Sequence, residues 1–359
     1  MKLELDPEQD PFSREAIQHL VVRYGSPLLV IDAERVRQQY RRLGAALPGV
    51  DLHYALKPLP HSSLITTLMA EGAFFDLATN GEVELVRRLG VAPARCIHTH
   101  PIKRDSDIRT ALSFGVTRFV VDNPDELRKF GCDPEAAVDL FQLAAQLRLK
   151  IDGLSFHTGS QNADSAMMVK AIDTCRELLT HAEARHSLQI LDIGGGFPVD
   201  YLQPALPIED FCAPIRTALK KLPPGVRIIA EPGRYIAAPA AIAVASVMGR
   251  ALRDGRWWYY LDDGLYGSYS GQMYDHSVFP VDALRSSAET YPSVLAGPTC
   301  DSIDVVREKL DLPKLEIGDL VVGRVMGAYT WASASDFNFF PKATVLALDQ
   351  GRLLQDGAS

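Results

Sequence analysis

LHYALKP, residues 52–58, reads as a short apolar run that ends on a lysine and is stopped by a proline. A run of that length bounded by a breaker predicts a buried strand, with Lys57 where strand gives way to loop. The pattern recurs on either side of it. Residues 28–31, 74–79, 96–100, 118–122, 153–158, 190–194 and 227–231 are further apolar runs, most of them followed by an amphipathic stretch such as 80–89 or 165–181. Strand and helix in alternation predict a parallel sheet. Residues with chemistry to offer collect at the strand C-terminal ends: Lys57, Asp76, His157, Gly194 and Glu231. In a β/α barrel that is the face on which the βα loops build a site. After about residue 240 the texture changes to strands containing Trp and Tyr, such as 256–261, with Gly and Pro turns. This predicts a second, mostly antiparallel β domain. The expected division is a barrel over 25–238 and a β-sandwich or β-barrel-like unit made of 1–24 and 239–359.

The chain has 359 residues, more than one compact domain usually holds, so two domains are expected. With 37 basic and 45 acidic residues its net charge is −8, which disfavours nucleic acid or an anionic membrane as partner and favours small molecules. Five cysteines without a CxxC pair read as reduced thiols, and no set of metal ligands is evident. The His98 and His100 pair shares one face of a strand without a third ligand and reads as structural. No segment approaches a membrane-spanning run and the N-terminus carries no apolar stretch, so the cytoplasm is the expected compartment.

Each chemical motif has a plain alternative. Lys57 alone reads as a surface lysine. In LDIGGGFP, Gly194, Gly195 and Gly196 follow a strand, either as a tight turn or as backbone N–H groups able to close around a phosphate. Their spacing is not that of a dinucleotide fingerprint. In RIIAEPGRY, Glu231 and Arg234 share a loop; they either pair with each other or serve, respectively, the pyridine nitrogen and the phosphate of pyridoxal 5′-phosphate (PLP). His157 in LSFHTGSQ is a core histidine or a ring stacked on a cofactor, with Ser160 nearby for a phosphate. Cys300 in GPTCDSID, Asp275 in MYDHS and Tyr329 in GAYT read singly as a buried thiol, a turn acid and a core aromatic.

Taken in order, YALK, FDLATNGE, FHTGSQ, LDIGGGFP, AEPGRY, DDGLYGS, MYDHS, GPTCDSID and MGAYT resemble the ornithine, diaminopimelate and arginine decarboxylase family of PLP enzymes, from about residue 25 onward. The likeness is greatest to eukaryotic-type ornithine decarboxylase. The resemblance implies a PLP-binding β/α (TIM-like) barrel of the alanine-racemase kind and a C-terminal antiparallel β domain. It implies that Lys57 holds the cofactor as a Schiff base, that His157 stacks on its ring and that Glu231 engages its pyridine nitrogen, with Asp76 and Glu82 supporting. Ser160, Gly194, Gly195, Gly196, Arg234 and Tyr329 would bind the phosphate. A homodimer with shared sites is implied, in which Cys300 and Asp301 reach the partner's cofactor and Cys300 protonates the product carbon. Asp275, Asp301 and Tyr266 would bind the substrate, two acids suiting the distal ammonium of ornithine or lysine. A diaminopimelate decarboxylase is the second reading; relatives of that kind typically carry a CESGD-like run where this chain has CDSID. A noncatalytic family member that binds a regulatory partner is the third.

One departure stands out. VVDNPDELRKFGCDPEAAVDLF runs directly from one helix to the next, where the family inserts a strand. About one barrel strand, roughly the fifth, is therefore expected to be missing, together with a family arginine that no residue here matches. Lys129, in the KFG of this stretch, is expected to meet Asp304 across the dimer.

Overall fold

A computed structural model describes residues 9–100, 102–121, 141–144, 146–180 and 188–354. Six short strands form a parallel sheet in the order Cys96–His98, Phe74–Leu77, Val50–Ala55, Arg227–Ala230, Ile190–Asp192, Gly153–Ser155. A single parallel bridge from His98 to Phe119 extends it by one further rung. The first strands in the chain thus pair with the last, Val50 against Ile228, which is how a β/α barrel closes. Among the described residues no strand joins Phe119 to Gly153, and the stretch expected to lack a strand, 122–140, lies outside them. At that seam Arg118 Nε and Asp152 Oδ2 stand 3.5 Å apart. Among the described residues this is a β/α barrel short of one strand.

The second sheet runs Val305–Leu312, Tyr291–Ala296, Arg256–Leu261, Ala241–Arg253, Leu28–Asp32, Thr344–Asp349, Arg352–Leu353, with Leu320–Gly323 also on the long Ala241–Arg253 strand. Most pairings are antiparallel; Leu28–Asp32 with Thr344–Asp349 and Tyr291–Ala296 with Arg256–Leu261 are parallel. Leu28–Asp32 therefore belongs here and not to the parallel barrel series whose rhythm it continues. The reason lies in its two faces. Leu28 and Val30 pack under the helix Arg14–Tyr24 with Ala16, Ile17 and Leu20, while Leu29 and Ile31 join the large core that includes Val36, Leu43 and Tyr54. A strand covered on both faces is apolar throughout, whichever sheet it joins.

No helix among the described residues is long and apolar enough to cross a membrane.

Candidate active site

The C-terminal ends of the barrel strands surround a cavity of about 1090 Å3. Lys57 lines it two residues beyond the end of its strand, and Asp76, Glu82, His157, Ser160, Gly195, Gly196, Glu231, Arg234 and Tyr329 line it too. Local rules put them there. Thr79 caps the helix Asn80–Arg88 and Glu82 completes the capping box, its Oε2 accepting the N–H of Thr79 at 3.2 Å and of Ala78 at 2.5 Å. Tyr329, at φ 56°, is tied by its N–H to the carbonyl of Pro58 at 3.0 Å, so the second sheet's loop closes over the lysine loop.

Three carboxyls are packed at one end of the cavity. Asp76 is buried and accepts the hydroxyl of Thr99. Asp192, also buried, accepts the Gly194 N–H at 2.9 Å. Burial pushes Asp76 and Glu231 well above the usual carboxyl range, each raised further by a carboxyl neighbour, and pushes Asp192 up to about 7. The positive charge of Lys57 pulls Asp76, Glu82 and Glu231 back down. It also adds to burial in lowering His157, whose Nδ1 accepts the Gly195 N–H at 3.3 Å, so the neutral ring carries its proton on Nε2. Asp192 was not among the residues singled out by sequence, although it closes its strand and Asp76 and Glu231 stand within one residue of the ends of theirs.

Two details test whether PLP fits. Glu231 Oε1 is buried with no hydrogen-bond partner among the described residues, which suits a pyridinium N–H. At the other end Arg234 is 6% exposed and its Nε is likewise buried without a partner, which suits a phosphate oxygen. The glycines between are obligatory: a Cβ on Gly194 would strike the carbonyl of Phe156, one on Gly195 would lie 2.7 Å from that of Glu231, and one on Gly196 would strike that of Gly159. Three loops therefore approach backbone to backbone around the cavity. The residues fit the cofactor. The chain matches the family described as pyridoxal-dependent decarboxylase, pyridoxal binding domain, over residues 33–129 and 126–238.

The chain belongs to the pyridoxal-dependent decarboxylase family. It is an enzyme, a carboxy-lyase, and its cofactor is PLP. It is similar to the lysine/ornithine decarboxylase of Vibrio vulnificus, solved with cadaverine: 53% identity, TM-score 0.91, covering 93% of this chain and 98% of that one. It is 33% identical to the lysine/ornithine decarboxylase of Selenomonas ruminantium over 96% of both chains. It is also 33% identical to the ornithine decarboxylase of Mus musculus, over 88% of this chain and 79% of that protein.

Not every expected residue of this decarboxylase meets the cavity. Gly194 directs its N–H to Asp192 and does not line the wall. Cys300, Asp301 and Tyr266 also lie off the wall; Cys300 is an exposed thiol, not a buried one, and the Tyr266 hydroxyl donates to Asp301 Oδ2 at 2.5 Å. Asp275 is reached only through Arg234, to which it is bonded. Lys129 lies outside the described residues. Asp304 is 2% exposed, and both its oxygens are used within the chain, by the N–H groups of Leu265 at 2.7 Å and Thr299 at 3.1 Å and by the Thr299 hydroxyl at 2.7 Å. Its carboxylate is a fastener of this loop cluster.

Proposed function

We propose that this chain decarboxylates a basic L-amino acid, ornithine or lysine, to the corresponding diamine, with PLP carried on Lys57. The observation that carries the reading is one cavity that brings Lys57 together with the carboxyls of Asp76, Asp192 and Glu231 and that leaves, on Glu231, a buried oxygen with no hydrogen-bond partner among the described residues. When bound, the cofactor supplies an electron-poor ring that accepts the electron pair left by departing carbon dioxide. The chain's residues do the rest. Lys57 would hold the cofactor covalently through Nζ, at the position where a substrate amine can replace it. Glu231 holds the proton at the pyridine nitrogen, and Asp192 and Asp76 beside it oppose a full second charge. His157, which lines the cavity, would pack on the ring face. Ser160, the backbone of Gly195 and Gly196, Arg234 and Tyr329 would hold the phosphate, with Gly194 shaping the turn.

Asp275 and Asp301 bind the distal ammonium, with Tyr266 orienting Asp301. Cys300 delivers a proton to the α-carbon. Because Cys300 is exposed and neither it nor Asp301 lines this chain's cavity, we assign both to the cavity of a second copy in a homodimer. The four described cysteines are free thiols, which suits a cytoplasmic enzyme.

The test is carbon dioxide release by the PLP-loaded protein from ornithine, lysine, arginine and diaminopimelate. Release from the first two is expected to dominate; equal release from all four would overturn the two-acid assignment, and a protein that stays colourless with PLP would overturn the whole reading.

A further inference from the structure

We infer that Tyr201 is a positioning residue that fixes the Arg234 guanidinium for the cofactor's phosphate; the inference rests on the phosphate role given to Arg234 above. Tyr201 belongs to none of the motifs that carry the family resemblance. It follows the glycine run by five residues, so the segment that shapes one wall of the cavity also reaches the arginine on the other.

An arginine has five N–H donors in one rigid plane, and burial obliges that plane to be satisfied. Arg234 Nη2 donates to Asp275 Oδ2 at 2.6 Å, and Nη1 donates to the Tyr201 hydroxyl at 2.8 Å and to Ser277 Oγ at 3.5 Å. The Tyr329 ring lies 4.8 Å from the guanidinium carbon. With both terminal nitrogens held, the plane cannot turn, and Nε is the nitrogen left buried without a partner among the described residues. Tyr201 is itself held edge-on by Phe279, ring centroids 5.6 Å apart. Tyr201 does not line the cavity, so its hydroxyl would act on the phosphate through Arg234. A guanidinium already aimed loses less freedom on binding than one that must be ordered by the ligand.

The experiment compares the affinities of PLP and of pyridoxal, which has the same ring and aldehyde without phosphate, by the visible absorbance of the lysine-bound chromophore. Four proteins are titrated: wild type, Tyr201→Phe, Arg234→Met and the double variant. Tyr201→Phe keeps the ring on Phe279 and removes only the hydroxyl. It is expected to weaken PLP by about tenfold, as for loss of one hydrogen bond to a charged group, and to leave pyridoxal unchanged. In the Arg234→Met background the same change is expected to do nothing more. Equal weakening of both ligands by Tyr201→Phe, no weakening of either, or an additive loss in the double variant would overturn the positioning role. If Arg234→Met itself leaves the ratio of PLP to pyridoxal affinity unchanged, the phosphate role of Arg234 fails and the inference falls with it.

Discussion

The Asp275 carboxylate stands 2.6 Å from the Arg234 guanidinium, so the acid assigned to the substrate's ammonium already has a cation at its side. The Asp275 side chain is 25% exposed and that of Arg234 6%, which leaves Asp275 one open flank and Arg234 almost none. Asp275→Asn is therefore expected to act twice. It should raise KM for ornithine and lysine, and it should destabilise the fold by about 1.5–3 kcal/mol through the weakened charged hydrogen bond. Steady-state kinetics and urea unfolding read the two effects separately; a KM change with no change in stability would show that Arg234 does not depend on the pair.

Lys57→Ala is expected to abolish both turnover and the visible colour of the PLP-loaded protein. Removing the lysine also removes the cation that favours ionised Asp76, Glu82 and Glu231, so these carboxyls should hold their protons to still higher pH. Carboxyl titration followed by infrared absorption measures that shift. Substantial residual activity would contradict the role assigned to Lys57.

Asp192 gives the cofactor-free protein a pH dependence of definite sign. Its folded value, about 7, lies above the ordinary 3.8, so between these limits the folded state holds a proton that the unfolded chain has lost. The stability this proton confers is full below about pH 4 and is lost as pH rises towards 7. His53 and His98, both pushed down to about 4 by burial, tilt stability the other way over the same range. They titrate equally in Asp192→Asn, so the difference between wild type and variant reports Asp192 together with its upward push on Glu231, which has the same sign. Unfolding midpoints from pH 4 to 8 should show the variant gaining on the wild type as pH rises; parallel curves would remove Asp192 from the account.

Gly195→Ala tests the backbone cradle. Its Cβ, 2.7 Å from the Glu231 carbonyl, forces apart the two loops that carry the phosphate and pyridine ends of the site. A cost of about 1–3 kcal/mol is expected, together with weaker PLP binding. Thermal unfolding and PLP titration measure both, and an unchanged PLP affinity would mean that the loops separate without disturbing the site.

Much of the barrel site was legible because its logic is local. A chemical residue at the end of an apolar run lands on one face of a parallel sheet, and this put Lys57, Asp76, His157 and Glu231 around one cavity from the sequence alone. Strand membership was not legible for Leu28–Asp32, since apolarity on both faces records burial and not the identity of the neighbour. Asp192 escaped notice inside a motif read for its glycines. Tyr201 and Ser277 escaped because their link to Arg234 joins positions 33 and 43 residues apart, a distance no periodicity reports. Asp304 was read for a contact with Lys129, and its bonds to Leu265 and Thr299, which join positions 39 and 5 residues away, were not legible in the motif.

The seam of the barrel has a consequence for how the molecule answers its solvent. Elsewhere around the ring, neighbouring strands are joined by backbone ladders that ignore salt. Between residues 118 and 152 the described contact is one ion pair with side chains 45% and 37% exposed, the kind worth about 0–1 kcal/mol and screened over roughly 10 Å at 0.1 M salt. Among the described residues, salt therefore weakens the barrel wall at this ion pair and leaves the backbone ladders untouched.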